Sequence, residues 1–324
     1  MARLADHPRL ARARRFLSAS FDQPLGTRVG DGSVRGYYVD LSVKAKRSDW
    51  PGAWPWAPGE QSWIALAQLG LGAHERWLAG DGEEWLALAR HVGDMLCDNQ
   101  AEGGAWVQGF DLPHTYELRA PWVSAMAQGE GASLLVRLHA VTGEDPYAEA
   151  ALRALGPMFV PVEDGGTMAL LDGRAFPQEY PTTPPAFVLN GGIFALWGWH
   201  DVALALADAA ARIAFDHGAD TLARNIHRWD TGSWSLYDLY PHRVANWASL
   251  AYHELHTTQL RAMAALAPQP ALTEAADRFE AYMASRAARA RALAHKSAFR
   301  LLVPRDERLA RLMPGRARGG GRSR

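Results

Sequence analysis

The sequence has very little cysteine, little net charge and no long apolar run. Its 324 residues include a single cysteine, Cys97, which excludes an intrachain disulfide. A net charge of -1 gives no general electrostatic reason to expect a nucleic-acid or membrane-surface protein. No segment approaches the roughly 20 apolar residues of a membrane helix, and the N-terminal region lacks the apolar core of a secretory signal. These absences favour a cytoplasmic protein that has no membrane span.

The common motifs for cofactors and metals are also absent. The sequence contains no Walker phosphate loop, no Rossmann fingerprint after a strand, no HExxH and no GxSxG. His253 and His256 share one face of a predicted helix, a spacing that could hold a metal ion, but no third-ligand motif accompanies them. We therefore expect no cofactor and no metal.

The main positive signal is a rhythm of paired helices. Hydrophobic residues make up 48% of the chain, which is enough for a large core. Helical periodicity occurs in four successive pairs of segments: 60–80 and 81–99, 122–143 and 145–160, 187–206 and 208–226, and 246–266 and 272–293. Helix pairs around a common axis predict a mainly α fold, an (α/α) barrel or toroid. A plain helical solenoid is the structural alternative.

Polar loops with short extended segments separate the pairs. Residues 36–46 are predicted to be extended, 49–60 form a Trp/Pro/Gly loop, and 99–122 and 229–243 combine loop with short strands. The Asp172–Gly173 pair is a hairpin turn signal. We predict three parts: an N-terminal arm (1–45), a helical catalytic domain (46–300) and a basic, disordered tail (301–324).

One loop interrupts the helical pattern in an unusual way. The stretch QEYPTTPPAFVLNGG, residues 178–192, presents Glu179 and Tyr180 immediately before a segment with three prolines, and it ends in two glycines. Prolines fix an extended segment, and glycines let a helix start close against it. Tyr237–Asp238 and Tyr252–His253 are similar polar–aromatic pairs. The alternative is a proline-rich connector that carries a solvated Glu179.

Four sequence words resemble the C-terminal catalytic domain of D-glucuronyl C5-epimerases, over residues 120–285. They are APWVSAMAQGEGASLLVRLHAVTGEDPYAEAALRAL, QEYPTTPPAFVLNGGIFALWGWHD, WDTGSWSLYDL and YHELHTTQL. The resemblance implies an (α/α) barrel and an isomerase that converts D-glucuronate to L-iduronate in a heparosan-like polysaccharide. It also implies a homodimer. The catalytic residues that it implies are Glu179, Tyr180, Tyr237 and Tyr252.

The same resemblance raises the question of what binds the uronate carboxylate. The family commonly has an arginine directly after the YDL word, where this chain has Tyr240. We expect Arg243 or Arg119 to replace it, because a bidentate arginine suits a carboxylate. Asn190 and His253 are further candidates for substrate binding.

The chemistry requires a base on one face of C5 and a proton donor on the other. Glu179 is the natural base and Tyr252 the natural partner, although the sequence does not assign the faces. A uronate polysaccharide lyase on the same scaffold is the alternative enzyme. A non-catalytic, glycan-binding helical protein is the alternative outside enzymes.

Overall fold

A computed structural model describes residues 24–26, 32–46, 62–112 and 115–303. These residues are mainly helical. Their ten α-helices are α1 (Ser42–Lys46), α2 (Trp63–Leu78), α3 (Glu83–Asp98), α4 (Ala125–Thr142), α5 (Asp145–Ala154), α6 (Leu189–Leu206), α7 (Ala209–Asn225), α8 (Leu250–Leu266), α9 (Pro270–Ala284) and α10 (Arg286–Leu302). The predicted loop at 49–60 and most of the predicted tail, 304–324, lie outside the described residues.

Two short antiparallel hairpins interrupt the helices. Strand β1 (Val107–Gln108) pairs with β2 (Trp122–Val123), and β3 (Met168–Leu171) pairs with β4 (Arg174–Pro177). The β3–β4 turn has left-handed backbone at Asp172 (φ 52°) and Gly173 (φ 74°), which confirms the hairpin prediction.

The four predicted helix pairs are confirmed as α2–α3, α4–α5, α6–α7 and α8–α9. The local stop and start signals act as predicted. Gly143 ends α4 in the left-handed conformation at φ 74°, and Pro146 lies in the first turn of α5. Short-range sequence chemistry is therefore sufficient to set these boundaries.

Two predictions about the ends of the helical region are wrong. Residues 42–46 were expected to be extended but form α1, which packs on α2. The segment 272–293 was expected to be one helix, but it breaks at Ser285, whose side chain accepts a hydrogen bond from the Ala288 N–H and caps a new helix. That new helix, α10, continues to Leu302, so the predicted tail begins with two helical residues.

Helices α4 and α6 form the centre of the fold and approach each other through glycine. A Cβ placed on Gly198 of α6 would lie 2.3 Å from the Cα of Gly129 on α4. A side chain at this crossing would push the two helices apart. Both helices are buried on most of their surface.

A buried ion pair fastens the N-terminal segment to these central helices. The Arg137 guanidinium on α4 donates to the Asp201 carboxylate on α6 at 2.6 Å, and both side chains are fully buried. Arg137 also donates to the Gly36 carbonyl, and the Tyr38 hydroxyl donates to Asp201. Residues 36–41 therefore share the hydrophobic core of the helical domain. None of the described helices is both long enough and apolar enough to cross a membrane.

Candidate active site

The cleft lies where four helices begin. Ser62 caps α2, and Met126, Asn190 and Tyr252 lie in the first turns of α4, α6 and α8. Helix N-termini carry partial positive charge, so their convergence favours an anionic ligand. The cleft has a volume of about 290 Å³, near the lower limit of small-ligand sites. Its described lining residues are Lys44, Ser62, Ile64, Ala65, Gln68, Met126, Glu179, Tyr180, Asn190, Phe194, Tyr252 and Leu255.

Gln178 closes the proline-rich loop at the edge of this cleft. Its side-chain oxygen accepts a hydrogen bond of 2.9 Å from the Phe187 N–H. Its backbone N–H donates to the Thr167 carbonyl at 2.8 Å, and its carbonyl accepts from the Ala125 N–H at 3.0 Å. These bonds join the loop to the hairpin and to α4, so the next residue, Glu179, has a fixed position.

Glu179 lies against the first turn of α6. A Cβ added to Gly191 would lie 2.2 Å from the Glu179 Oε2 atom, and a Cβ added to Gly192 would lie 2.4 Å from the Phe176 ring. The two glycines therefore permit the close approach that the sequence predicted. Glu179 is 4% exposed, which is inconsistent with the alternative of a solvated glutamate on a connector.

Burial also changes the acidity of Glu179. Loss of hydration raises the pKa of this carboxyl to about 7, against a smaller lowering effect from the Tyr180 hydroxyl. Its Oε2 atom has no hydrogen-bond partner among the described residues. Glu179 thus has a buried carboxylate oxygen without a partner among the described residues, and the pKa of its carboxyl group suits proton transfer near neutral pH.

Three tyrosines surround this carboxyl group. Tyr180 interacts through its hydroxyl with Glu179 and Tyr237. The Tyr237 and Tyr252 rings meet edge to face at 4.8 Å between centroids, and the Tyr252 N–H donates to the Ser249 cap of α8. Burial raises the pKa of Tyr180 and Tyr237 well above the ordinary value, so both are neutral phenols. The structure brings the four predicted catalytic residues together, with Tyr237 behind the lining.

A chain of hydrogen-bonded side chains that do not line the cleft lies next to these tyrosines. The Tyr116 hydroxyl and the Asn246 side-chain amide each donate to the Asp238 carboxylate at 2.6 Å. The Lys296 ammonium donates to Asn246 Oδ1 at 2.7 Å, and the Tyr116 ring lies 4.9 Å from that of Tyr180. Tyr116 was not selected as a candidate from the sequence, because the segment 99–122 around it showed only the features of a loop.

Of the four predicted substrate-binding residues, Asn190 alone is among the described lining residues. Arg119 is 81% exposed and pairs with Asp111 at 2.9 Å, away from the lining. Arg243 is exposed and does not line the cleft either. The structure therefore does not bring either arginine to the position that the sequence analysis gave it.

His253 is not among the described residues that line the cleft. It is fully buried, and its Nδ1 atom lies 2.8 Å from the Ser235 hydroxyl, which His256 Nδ1 also contacts at 2.9 Å. The Trp234 ring stacks on His253 at 3.7 Å. Burial lowers the pKa of His253 to about 4, so it is neutral. In the part of the chain that the structure describes, no group of three or more His, Cys, Asp or Glu residues could hold a metal ion.

A polar chain at another wall of the cleft was missed from the sequence. The Lys44 ammonium on α1 contacts the side-chain oxygen of Gln68 on α2. The Gln68 amide nitrogen then donates to Glu130 Oε1 on α4 at 2.8 Å. Glu130 is fully buried, and burial raises its pKa to about 8. The sequence does mark Glu130, because it is a glutamate between two glycines in an otherwise apolar helix. Nothing in the sequence marks Lys44, because its segment was predicted to be extended.

A family model described as "D-glucuronyl C5-epimerase C-terminus" matches residues 99–281, more than half of the chain. The chain belongs to the D-glucuronyl C5-epimerase family. It is 30% identical over 207 residues to a D-glucuronyl C5-epimerase from Caenorhabditis elegans, with 58% of this chain and 34% of the worm protein covered. It is 29% identical over 160 residues to uncharacterized protein MJ1128 from Methanocaldococcus jannaschii, covering 48% of this chain and 50% of the archaeal protein.

The chain therefore spans between a third and a half of the length of these two relatives. The family match includes Glu130 and all four predicted catalytic residues: Glu179, Tyr180, Tyr237 and Tyr252. Lys44 and Gln68 precede the matched region. The positive charge of the cleft, on Lys44, thus comes from sequence outside the family model.

Proposed function

We propose that this protein is an isomerase that inverts C5 of D-glucuronate residues in a heparosan-like uronate polysaccharide, giving L-iduronate. The observation that carries the proposal is the buried Glu179 carboxyl group, with its unpaired Oε2 atom, in a cleft shared with Tyr180 and Tyr252. Family membership supports the reaction class. The small cleft, at the N-termini of four helices, supports an anionic sugar as the ligand.

The first step is removal of the C5 proton. This hydrogen is α to a carboxylate and is a very weak acid, so the base must be well placed and strong for a carboxylate. Burial supplies that strength, because it raises the pKa of Glu179 to about 7. The C–H electron pair moves into the substrate carboxylate, which becomes a dianionic enediolate, and Glu179 becomes neutral.

The second step returns a proton to the other face of C5. Tyr252 donates its phenolic proton, and C5 regains a C–H bond with inverted configuration. The resulting phenolate regains its proton from solvent, and Glu179 releases its own, so the proton count is unchanged. Tyr180 and Tyr237 stay neutral and act as hydrogen-bond donors to the sugar or to Glu179. The buried Asn190 oxygen, unpaired among the described residues, is available to a sugar hydroxyl.

The arrangement of the helices is consistent with an (α/α) toroid. Helices α2, α4, α6 and α8 are the first members of their pairs, and all four present their N-termini to the cleft. In a toroid these would be the inner helices. A solution scattering profile that fits an open solenoid better than a ring would contradict this arrangement.

A lyase is the competing enzyme, because it begins with the same proton abstraction and then expels the 4-O substituent. Incubation with a glucuronate polymer separates the two reactions. The epimerase proposal requires iduronate signals in the NMR spectrum, full chain length and no near-ultraviolet absorbance. Shorter chains with an absorbing, unsaturated end would indicate the lyase instead. Glu179→Gln is the control for either reaction, because both need the base.

A further inference from the structure

The cleft has a positively charged side chain that the family match does not include. Lys44 is the one lysine or arginine among the described residues that line it. We propose that Lys44, presented by Gln68 and Glu130, binds the carboxylate of a hexuronate residue. The inference rests on the proposed function, in that the ligand is the same sugar, and it assigns the carboxylate partner that Arg119 and Arg243 do not supply.

The hydrogen-bond chain fixes the direction in which Lys44 is presented. The Gln68 amide nitrogen donates to Glu130 Oε1, which leaves the Gln68 oxygen to accept from the Lys44 ammonium. Gln68 is 7% exposed and Glu130 is fully buried, so both are held by packing as well. Glu130 is thus a positioning residue that acts on the ammonium through Gln68.

The backbone that carries Lys44 is also fixed. A Cβ on Gly72 of α2 would lie 2.4 Å from the Leu41 carbonyl oxygen and 3.3 Å from the Ala45 Cβ. Gly72 therefore lets α1 lie directly on α2. Leu41 and Ala45, on either side of Lys44 in the sequence, are both buried. The lysine thus projects from a segment that is packed at both ends.

The electrostatics beside Lys44 favour an anionic ligand. Most of the Lys44 side chain is exposed, but its ammonium contacts the buried Gln68, and burial of that end lowers the pKa of Lys44 while the Glu130 charge opposes the shift. An ammonium that has lost part of its hydration gains from an added anion. A hexuronate carboxylate is such an anion and can pair with Lys44 in the cleft.

The test is a binding measurement that requires no turnover. We would titrate the full chain, by calorimetry, with a glucuronate-containing oligosaccharide and with the same oligosaccharide after its carboxylates are reduced to alcohols. The variants are Lys44→Met, which keeps most of the apolar stem, and Lys44→Arg, which keeps the charge. Arg119→Met is the matched control, because it removes a cation that is exposed outside the cleft.

The wild-type protein should prefer the acidic oligosaccharide. Lys44→Met should weaken its binding about tenfold or more and leave binding of the reduced oligosaccharide unchanged. Lys44→Arg should restore most of the affinity, and Arg119→Met should behave as wild type. Unchanged affinity in Lys44→Met, equal loss for both ligands, or a wild-type protein that binds neither or does not discriminate between them, would overturn the inference.

Failure here can be separated from failure of the proposed function. A protein that binds the acidic sugar through Lys44 but does not exchange its C5 hydrogen supports this site and contradicts the epimerase. A protein that exchanges the hydrogen, with a KM that is the same in wild type and Lys44→Met, supports the epimerase and contradicts this site.

Discussion

The Glu179 carboxylate occupies the space that a side chain at Gly191 would need. An ideal Cβ on Gly191 would lie only 2.2 Å from the Glu179 Oε2 atom. Contact this close cannot exist between non-bonded atoms, so either the carboxylate or α6 must move when residue 191 has a side chain. The glycine at the start of the helix is therefore a condition for the position of the proposed base.

We predict that Gly191→Ala lowers kcat/KM on a glucuronate polymer at least tenfold, because the new methyl group displaces Glu179. The new methyl group would also lie 2.5 Å from the Glu179 Cβ, so the free energy of unfolding should fall as well, offset in part by the helix preference of alanine over glycine, about 1 kcal/mol. Chemical denaturation and steady-state kinetics measure the two effects separately. Gly103→Ala is the matched control, because a Cβ at that exposed position meets no atom within 4 Å. Full activity in Gly191→Ala would contradict the proposed position of the base.

A second prediction concerns stability and pH. The pKa of Glu179 is about 7 in the folded protein against an ordinary value of 4.5. A carboxyl whose pKa is raised by folding binds its proton more tightly when folded, so it reduces stability as pH rises through this window. Glu179→Gln removes the ionisation. Its free energy of unfolding relative to wild type should therefore increase by about 2.5 kcal/mol between pH 5 and pH 9.

Urea denaturation of both proteins across that pH range measures the difference. A constant difference would show that Glu179 keeps an ordinary pKa in the folded protein. The variant should also lose activity at every pH, since an amide cannot accept the C5 proton.

The third prediction tests the role of Tyr252. Tyr252→Phe removes the phenolic proton and keeps the ring that packs against Tyr237. We expect a loss of about 10²–10⁴-fold in C5 hydrogen exchange, the usual range for a general acid or base, with the fold retained. Tyr147→Phe is the control, because it removes a hydroxyl that donates to Asp94 outside the cleft. Undiminished exchange in Tyr252→Phe would remove this residue from the mechanism.

The fourth prediction concerns the buried ion pair between α4 and α6. Asp201→Asn leaves the Arg137 guanidinium buried without its counter-ion, and such a change costs about 3–5 kcal/mol of stability. The matched control is Asp216→Asn, which breaks the exposed pair between Arg212 and Asp216 and should cost less than about 1 kcal/mol. Similar losses in the two variants, measured by urea denaturation, would contradict a special role for the buried pair.

The sequence predicts those parts of the fold that depend on neighbouring residues. The turn at Asp172–Gly173 and the helix end at Gly143 follow from backbone preferences that act over a few residues. The docking of α1 does not, because it depends on the space that Gly72 leaves on a helix far along the chain. The break at Ser285 was missed because the helical pattern continues on both sides of a single capping residue.

The site residues also include some that the sequence could identify and some that it could not. Glu179 and Tyr252 could be grouped because they lie in words with a family resemblance, and the structure brings both to one cleft. Glu130 lies in such a word as well but was not selected, because α4 is buried on most faces and its periodicity does not show which side faces the cleft. The expectation of Arg119 or Arg243 identified the need for a cation, but a helix that was predicted as a strand supplies Lys44.

Hydrogen exchange at C5 tests the proposed epimerase reaction most directly. In deuterated water, the wild-type protein should replace the C5 hydrogen of glucuronate residues with deuterium, because the departing proton and the returning one come from groups that equilibrate with solvent. NMR should show deuterium at C5 in both glucuronate and iduronate residues, with no change in chain length. Absence of exchange across several uronate polymers, under conditions in which the sugar binds, would contradict the epimerase and leave a glycan-binding protein.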